Sequence, residues 1–190
     1  MSKPVYIADI IGEAVASASD SILSTIQDNE TCVLGKTGIV TINFQKGHKR
    51  ELIETLIEMD RSQTHGQRKY PCVYLVQDFQ ETRNPRAGIY ADTRLSIIIM
   101  HYTEQTRKVD DRMVKVFKPV LYPIYEAVLE ALAKHPMIQQ SNRESIVHTK
   151  TDRLYWGRQA VGGNDRVALT DYLDAIEITG LQLSFYFKNC

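Results

Sequence analysis

The stretch Leu95-Ser96-Ile97-Ile98-Ile99-Met100-His101-Tyr102 decides the fold of this chain. Successive side chains of a strand point to opposite faces, so its central apolar run is apolar on both faces. A strand of this kind belongs in the middle of a sheet that is covered on both sides. We therefore expect helices on one face of this strand, and either a second layer or a neighbouring subunit on the other.

Other segments predict further strands around it. Cys72–Val76 is a short apolar run, and we expect it to pair with the strand over Ala91–Thr103. Residues 39–44 alternate well enough for a strand, and residues 146–156 and 172–178 predict a hairpin. Gly180 permits a bulge or a tight bend, after which residues 181–187 alternate strictly between apolar and polar. Leu181, Leu183, Phe185 and Phe187 are expected to face the core.

Apolar residues at spacings of three and four predict the helices. They indicate an N-terminal helix over residues 5–27 and a second helix over residues 48–60. A third pattern continues from Val114 to Leu132, but Pro119 and Pro123 interrupt it. Because proline lacks the backbone N–H group, we expect a kink or restart between Lys118 and Tyr122 and a regular helix from about Pro123 to Lys134.

Length and pattern together predict one domain over residues 1–190, of class α/β (α+β), with a mostly antiparallel sheet backed by helices. Residues 48–69 form an insert that contains the second helix and a polar connection. Residues 157–170 contain Gly162-Gly163-Asn164-Asp165 and predict a flexible hairpin tip. No repeat, low-complexity tract or interdomain linker is present.

Composition excludes several classes of protein. The chain has 23 Lys plus Arg and 23 Asp plus Glu, so its overall charge does not favour binding to nucleic acid or to an acidic membrane. The three cysteines are far apart and form no Cys-x-x-Cys motif, which argues against a disulfide framework or a zinc site. We expect a chain made in the cytoplasm, without a signal peptide or a membrane-spanning segment.

The candidate catalytic motifs are weak, and we expect no catalytic residue, cofactor or metal. Gly35-Lys36-Thr37 resembles the end of a phosphate-binding loop, but Glu30 occupies the place of its first glycine. The five histidines have no metal-ligand spacing. Asp152, Asp174 and Glu177 could be an acidic metal set of a nuclease, but no lysine stands two residues after Glu177; solvated strand faces explain them better.

Two groups of residues are candidates for contact with partners. Lys46, Lys49 and Arg50 belong to the one basic cluster of the sequence, which is either a solvated helix end or a surface that faces DNA phosphates. Trp156 lies between Tyr155 and Arg158, and such aromatic and arginine groups are typical of protein interfaces. Core packing of the indole is the equal alternative.

Five segments carry a family resemblance in their order and type: residues 69–75, 94–103, 117–133, 148–157 and 171–187. In this order they resemble the neck and tail-completion proteins of tailed bacteriophages, the tail-terminator type in particular. The resemblance covers about residues 70 to 188, and it rests on the pattern of elements. It implies an α/β subunit with a helix-backed sheet. The shortest members of the family lack the insert at residues 48–69. The chain could therefore be either the terminator itself or the subunit of a neighbouring connector ring.

The resemblance also implies a structural role. Such proteins form a ring, commonly a hexamer, that caps the tail tube and joins it to the head connector, while DNA passes through the lumen. We then expect the chain at the head–tail junction of the virion, with itself, the tail tube protein and connector proteins as partners. Ring contacts are expected at Ile98, Met100, Tyr155, Trp156, Arg158, Gly162, Gly163 and Asn164. The alternatives are a small metal-dependent phage nuclease and a monomeric adaptor protein.

Overall fold

The computed structural model describes residues 6–27, 42–61, 69–83, 89–140, 142–156 and 172–187. Helices and strands alternate in the first half and a long hairpin closes the chain, so the fold is α+β, as expected. The elements are α1 (Ile7–Gln27), β1 (Asn43–Gly47), α2 (Lys49–Arg61), β2 (Cys72–Val76), β3 (Glu81–Arg83), β4 (Ile89–Thr103), α3 (Val109–Arg112), a π-helical segment (Met113–Leu121), α4 (Tyr122–Lys134), a 3-10 turn (Arg143–Ser145), β5 (Thr149–Trp156) and β6 (Tyr172–Phe187).

The strands of the described ranges form one sheet. Its order is β1-β2-β4-β6-β5, and β3 pairs with the outer half of β4. The strands β1 and β2 are parallel, and every other pair is antiparallel. The predictions of a mostly antiparallel sheet and of pairing between β2 and β4 are therefore confirmed.

The two longest strands, β4 and β6, pair along their length with one irregularity. Leu95 lies opposite Leu181, whereas Ile97 lies opposite Ile178, so β6 contains one extra residue at this point. Gly180 has a φ of +63°, in the left-handed region that glycine adopts without a steric penalty. The glycine thus forms a bulge inside one continuous strand, which is the first of the two possibilities that the sequence allowed.

The main core lies on one face of the sheet, beneath α1, the π-helical segment and α4. On β6 it takes Leu181, Leu183 and Phe185, as the alternation of the sequence predicts, while the side chain of Phe187 lies outside the described residues. The helices contribute an apolar stripe each: Ile7, Ile11, Val15 and Ala18 from α1, Phe117, Val120 and Leu121 from the π-helical segment, and Ile124, Val128 and Leu132 from α4.

The second face of the sheet has its own smaller cluster, and α2 covers it. Leu52 and Leu56 of this helix lie in one cluster with Ile98 and Met100 of β4 and with Trp156 of β5. The helix α2, within the residues 48–69 that the sequence marked as an insert, therefore supplies the second layer of the fold. The chain covers this half of the sheet itself, without a neighbouring subunit.

The proline interruption of the third helix is confirmed, but it begins earlier than predicted. Pro119 lies inside a π-helical segment that starts at Met113. Since proline cannot donate a backbone hydrogen bond, regular α-helical bonding cannot continue through it. Regular helix resumes in α4 at Tyr122, with Pro123 in its first turn, where a missing N–H group costs little.

Other boundaries differ from prediction by a few residues. The N-terminal helix, predicted over 5–27, is Ile7–Gln27, and β5 begins at Thr149 rather than at 146 because a turn capped by Asn142 precedes it. The strand predicted over 39–44 is Asn43–Gly47, and residues 39–41 lie outside the described ranges. Among the described helices, none combines the length and apolarity that crossing a bilayer requires.

Candidate functional site

The end of the hairpin β5–β6 holds the most unusual polar structure of the described chain. Its centre is an ion pair between Arg112 and Asp174, whose side chains are both fully buried. The guanidinium Nη1 donates to Asp174 Oδ1 at 2.7 Å, while Nε donates to the Arg107 carbonyl oxygen and Nη2 to that of Glu104. A buried charge is stable only when it is paired and hydrogen-bonded. The arrangement therefore anchors the C-terminal end of α3 to β6.

Tyr155 completes this network from β5. Its ring centroid lies 3.7 Å from the guanidinium carbon of Arg112, and its backbone N–H group donates to Asp174 Oδ1 at 3.2 Å. Tyr155 is the one described residue other than glycine with positive φ, at +54°. This conformation costs a non-glycine residue about 1–3 kcal/mol and persists only where the surroundings impose it. The stacking and the hydrogen bond to Asp174 are those surroundings.

The positive φ belongs to a bulge that changes the face of the next residue. Arg153 lies opposite Ala175 and Trp156 opposite Leu173, so β5 uses one residue more than β6 between these pairs. Side chains alternate between faces, and one extra residue reverses the alternation. Trp156 consequently lies on the α2 face, in the same cluster as Leu173 and Ala175.

On that face, Glu177 accepts two hydrogen bonds and lies near a third cationic group. Its Oε1 accepts from Trp156 Nε1 at 2.9 Å and its Oε2 from Arg153 Nε at 3.0 Å, and Lys49 Nζ of α2 lies 3.6 Å from Oε1. Burial alone would raise the pKa of Glu177, but the two hydrogen bonds and the positive charges of Lys49 and Arg153 lower it below its ordinary value. The carboxylate thus links β6 to β5 and to α2.

The residues predicted at a ring interface are divided by the structure. Ile98, Met100 and Trp156 come together, but in the cluster beneath α2, where they are only 3%, 0% and 4% exposed. Because α2 covers these three residues, the expectation that a single chain presents them as ring contacts is wrong. Tyr155 lies on the opposite face, against Arg112. Arg158, Gly162, Gly163 and Asn164 lie outside the described residues, as does the predicted hairpin tip at 157–170.

The basic cluster is partly neutralised by acidic partners. Lys46 Nζ lies 2.6 Å from Asp9 Oδ1 of α1, and Lys49 pairs with Glu177 as described above. The Lys46 and Lys49 side chains remain 41% and 49% exposed, and the side chain of Arg50 is not among those described. The two described lysines present a weakened positive charge to solvent.

The three acidic residues that could have formed a nuclease site do not converge. Asp174 faces the main core and Glu177 faces α2, so they lie on opposite faces of β6. Asp152 accepts hydrogen bonds from Tyr122 at 2.7 Å and Lys150 at 2.5 Å at the edge of the sheet. Within the described ranges, no three His, Cys, Asp or Glu residues are placed to hold a metal ion.

Beyond α2, the second face of the sheet is open and polar. Asp92 lies opposite Ser184, whose hydroxyl donates to its carboxylate at 2.5 Å, and Arg94 lies opposite Gln182. These four residues and Thr82 line a cleft of about 760 Å³. The outer half of β4 and β6 therefore exposes hydrogen-bonding groups on this face, together with the ring of Tyr186.

Sequence reasoning missed the Arg112–Asp174 pair, although one signal was present. Arg112 continues, in steps of four, the buried stripe of Val116, Val120 and Ile124, so a helix at this point places a charge among core residues. A charge in such a stripe requires a buried partner. Which acidic residue supplies it is decided by the sheet, 62 positions away.

The chain was also compared with family models, curated proteins and solved structures, and none of them matches it.

Proposed function

We propose that this chain is a structural protein of a tailed bacteriophage, a tail-terminator or neck subunit that assembles into a ring, caps the tail tube and joins it to the head connector. DNA passes through the lumen of this ring. The proposal rests on the order of three elements from β4 to β6. A central strand that is apolar on both faces is followed by a proline-interrupted helix and then by a closing hairpin, all in one helix-backed sheet. This is the succession on which the resemblance to that family rests.

The edges of the sheet support a ring. A ring requires a heterologous interface, in which two different surfaces of the subunit meet. Among the described strands, β1 pairs only with β2 at one end of the sheet, and β5 only with β6 at the other. Within the described residues, neither edge has a further strand beside it, so a neighbouring subunit can add a strand or a reaching hairpin there.

The charges support passage of DNA rather than tight binding to it. Lys46 and Lys49 each have an acidic partner, and the chain has equal numbers of basic and acidic residues. Each phosphate held by a lysine or arginine adds to affinity, so a strongly basic lumen would slow the movement of DNA. A neutral or only locally basic lumen lets DNA slide.

Of the two alternatives, the nuclease is the less well supported. A metal-dependent nuclease needs carboxylates that converge on one ion, whereas Asp174 and Glu177 lie on opposite faces of β6. A monomeric adaptor could have this same fold. It differs from a ring subunit only in its oligomeric state, which the next experiment measures.

Light scattering and sedimentation test the proposal. The purified chain is measured alone and mixed with tail tube protein. In the mixture at least, we expect a ring whose mass is several times the 21.7 kDa of one subunit. A monomer under both conditions contradicts the proposal and favours an adaptor. Incubation with DNA and magnesium or manganese tests the nuclease alternative. That alternative predicts that the unchanged chain cleaves the DNA and that a Glu177→Gln variant does not.

A further inference from the structure

The bulge at Tyr155 decides on which side of the sheet β5 ends. Without the extra residue, the alternation from Arg153 would place Trp156 on the face of the main core. With it, Trp156 lies on the α2 face and donates to Glu177. The last described residues of β5 thus depend on a backbone conformation that tyrosine disfavours.

Arg112 supplies what holds this conformation. Its guanidinium stacks on the Tyr155 ring and pairs with the same Asp174 oxygen that accepts the Tyr155 N–H group. Arg112 is itself fixed by the carbonyl oxygens of Glu104 and Arg107, in the connection between β4 and α3. The two strands and this connection are therefore joined at one guanidinium group.

We infer that Arg112 is a positioning residue for assembly: it selects the bulged register at the end of β5 and so sets the face of the sheet on which Trp156 lies. The inference rests on the proposed function, in which the β5 edge of the sheet is one of the surfaces that meet in the ring. An ion pair that only contributed stability would be replaceable by apolar residues of similar volume. A positioning pair would not be, because the replacement has no group to hold Tyr155 in its left-handed conformation.

The test is the double variant Arg112→Met with Asp174→Val, which removes both charges and keeps the total volume similar. We expect it to fold, but with a changed Trp156 emission spectrum, because the indole leaves its buried site beside Glu177. Ring formation should be lost at concentrations at which the unchanged chain assembles. The control is Glu81→Gln with Arg83→Gln, which removes an exposed ion pair of β3 and should change neither readout.

A second pair of variants serves if the double variant does not fold. Tyr155→Gly and Tyr155→Val both lose the stacked ring, but only glycine adopts positive φ freely. The glycine variant should keep the Trp156 emission of the unchanged chain and the valine variant should lose it. Equal emission from these two variants overturns the inference.

The outcomes separate this inference from the proposed function. If the unchanged chain forms no ring, the proposed function fails, and the emission of Trp156 still decides whether Arg112 selects the register. If the ring forms and the double variant assembles with unchanged emission, Arg112 is only structural and the inference is wrong.

Discussion

Arg112 and Asp174 stand 62 positions apart in the chain and meet in a fully buried ion pair of 2.7 Å. Arg112 is the last residue of α3 and Asp174 lies in β6, so the contact joins the helical region to the last strand. Tyr155 of β5 contacts both members of the pair.

Replacing Arg112 alone with methionine should destabilise the protein strongly. The change leaves the Asp174 carboxylate buried without its cation, which typically costs about 3–5 kcal/mol. Urea unfolding measures the loss. The exposed pair of Arg83 and Glu81 provides the comparison, since Arg83→Met should cost less than about 1 kcal/mol. A loss of similar size in both variants would contradict this account of the buried pair.

Glu177→Gln should lower stability most at neutral pH. The folded state holds the pKa of Glu177 below its ordinary value of 4.5, so ionisation favours the folded chain above that pH. This contribution disappears as pH falls through the lowered pKa. The variant should therefore be about 1–3 kcal/mol less stable near pH 7 and approach the unchanged chain in acid. A difference that stays constant with pH would refute the role of the charge.

His101 should make the protein acid-sensitive at mildly acidic pH. Burial first, and then the positive charge of Arg107, lower the pKa of His101 from 6.5 to about 4. Between these values the unfolded chain binds a proton that the folded chain does not, so stability falls by up to about 1.4 kcal/mol per pH unit as pH decreases. In the His101→Gln variant, the free energy of unfolding, measured by urea unfolding at a series of pH values, should depend less on pH between 6.5 and about 4. The same slope in both proteins would exclude His101 as the cause.

Gly47→Ala should destabilise the turn into α2. A Cβ atom at Gly47 would lie 2.7 Å from both Glu51 Oε2 and the Tyr74 hydroxyl, and the residue has a φ of +158°. We expect a loss of about 1–3 kcal/mol by thermal or urea unfolding. Gly180→Ala, where no atom lies within 4 Å, isolates the cost of backbone strain alone and should lose less. The reverse order would contradict the close approach at Gly47.

Deleting Val161 to Arg166 tests the proposed ring directly. We expect the variant to unfold with the same midpoint as the unchanged chain, because the deletion leaves both cores and the buried ion pair intact. Assembly with tube protein should be impaired, as light scattering would detect. Normal rings from the variant would remove residues 157–170 from the proposed interface.

Local patterns predicted the elements well and their surroundings less well. The strict alternation of residues 181–187 and the apolar run of β2 depend on neighbours in sequence; the alternation is confirmed over residues 181–186, and so is the strand β2. The interface prediction at Ile98 and Met100 is wrong for a single chain because the pattern of β4 shows that both faces are apolar, and does not show what covers them. Leu52 and Leu56 of α2 are that cover, and their own pattern indicates only that they bury one face.

The sequence by itself determined the α+β class, the central strand, the proline interruption and a bulge or bend at Gly180, because hydrophobic period and backbone chemistry act over a few residues. Only the tertiary structure decided that α2 covers the second face, that Arg112 pairs with Asp174 and that Tyr155 carries a strained bulge. Those contacts join residues that are distant in the chain. Their energy comes from burial and pairing, which depend on how the sheet and helices come together, and no local pattern specifies it.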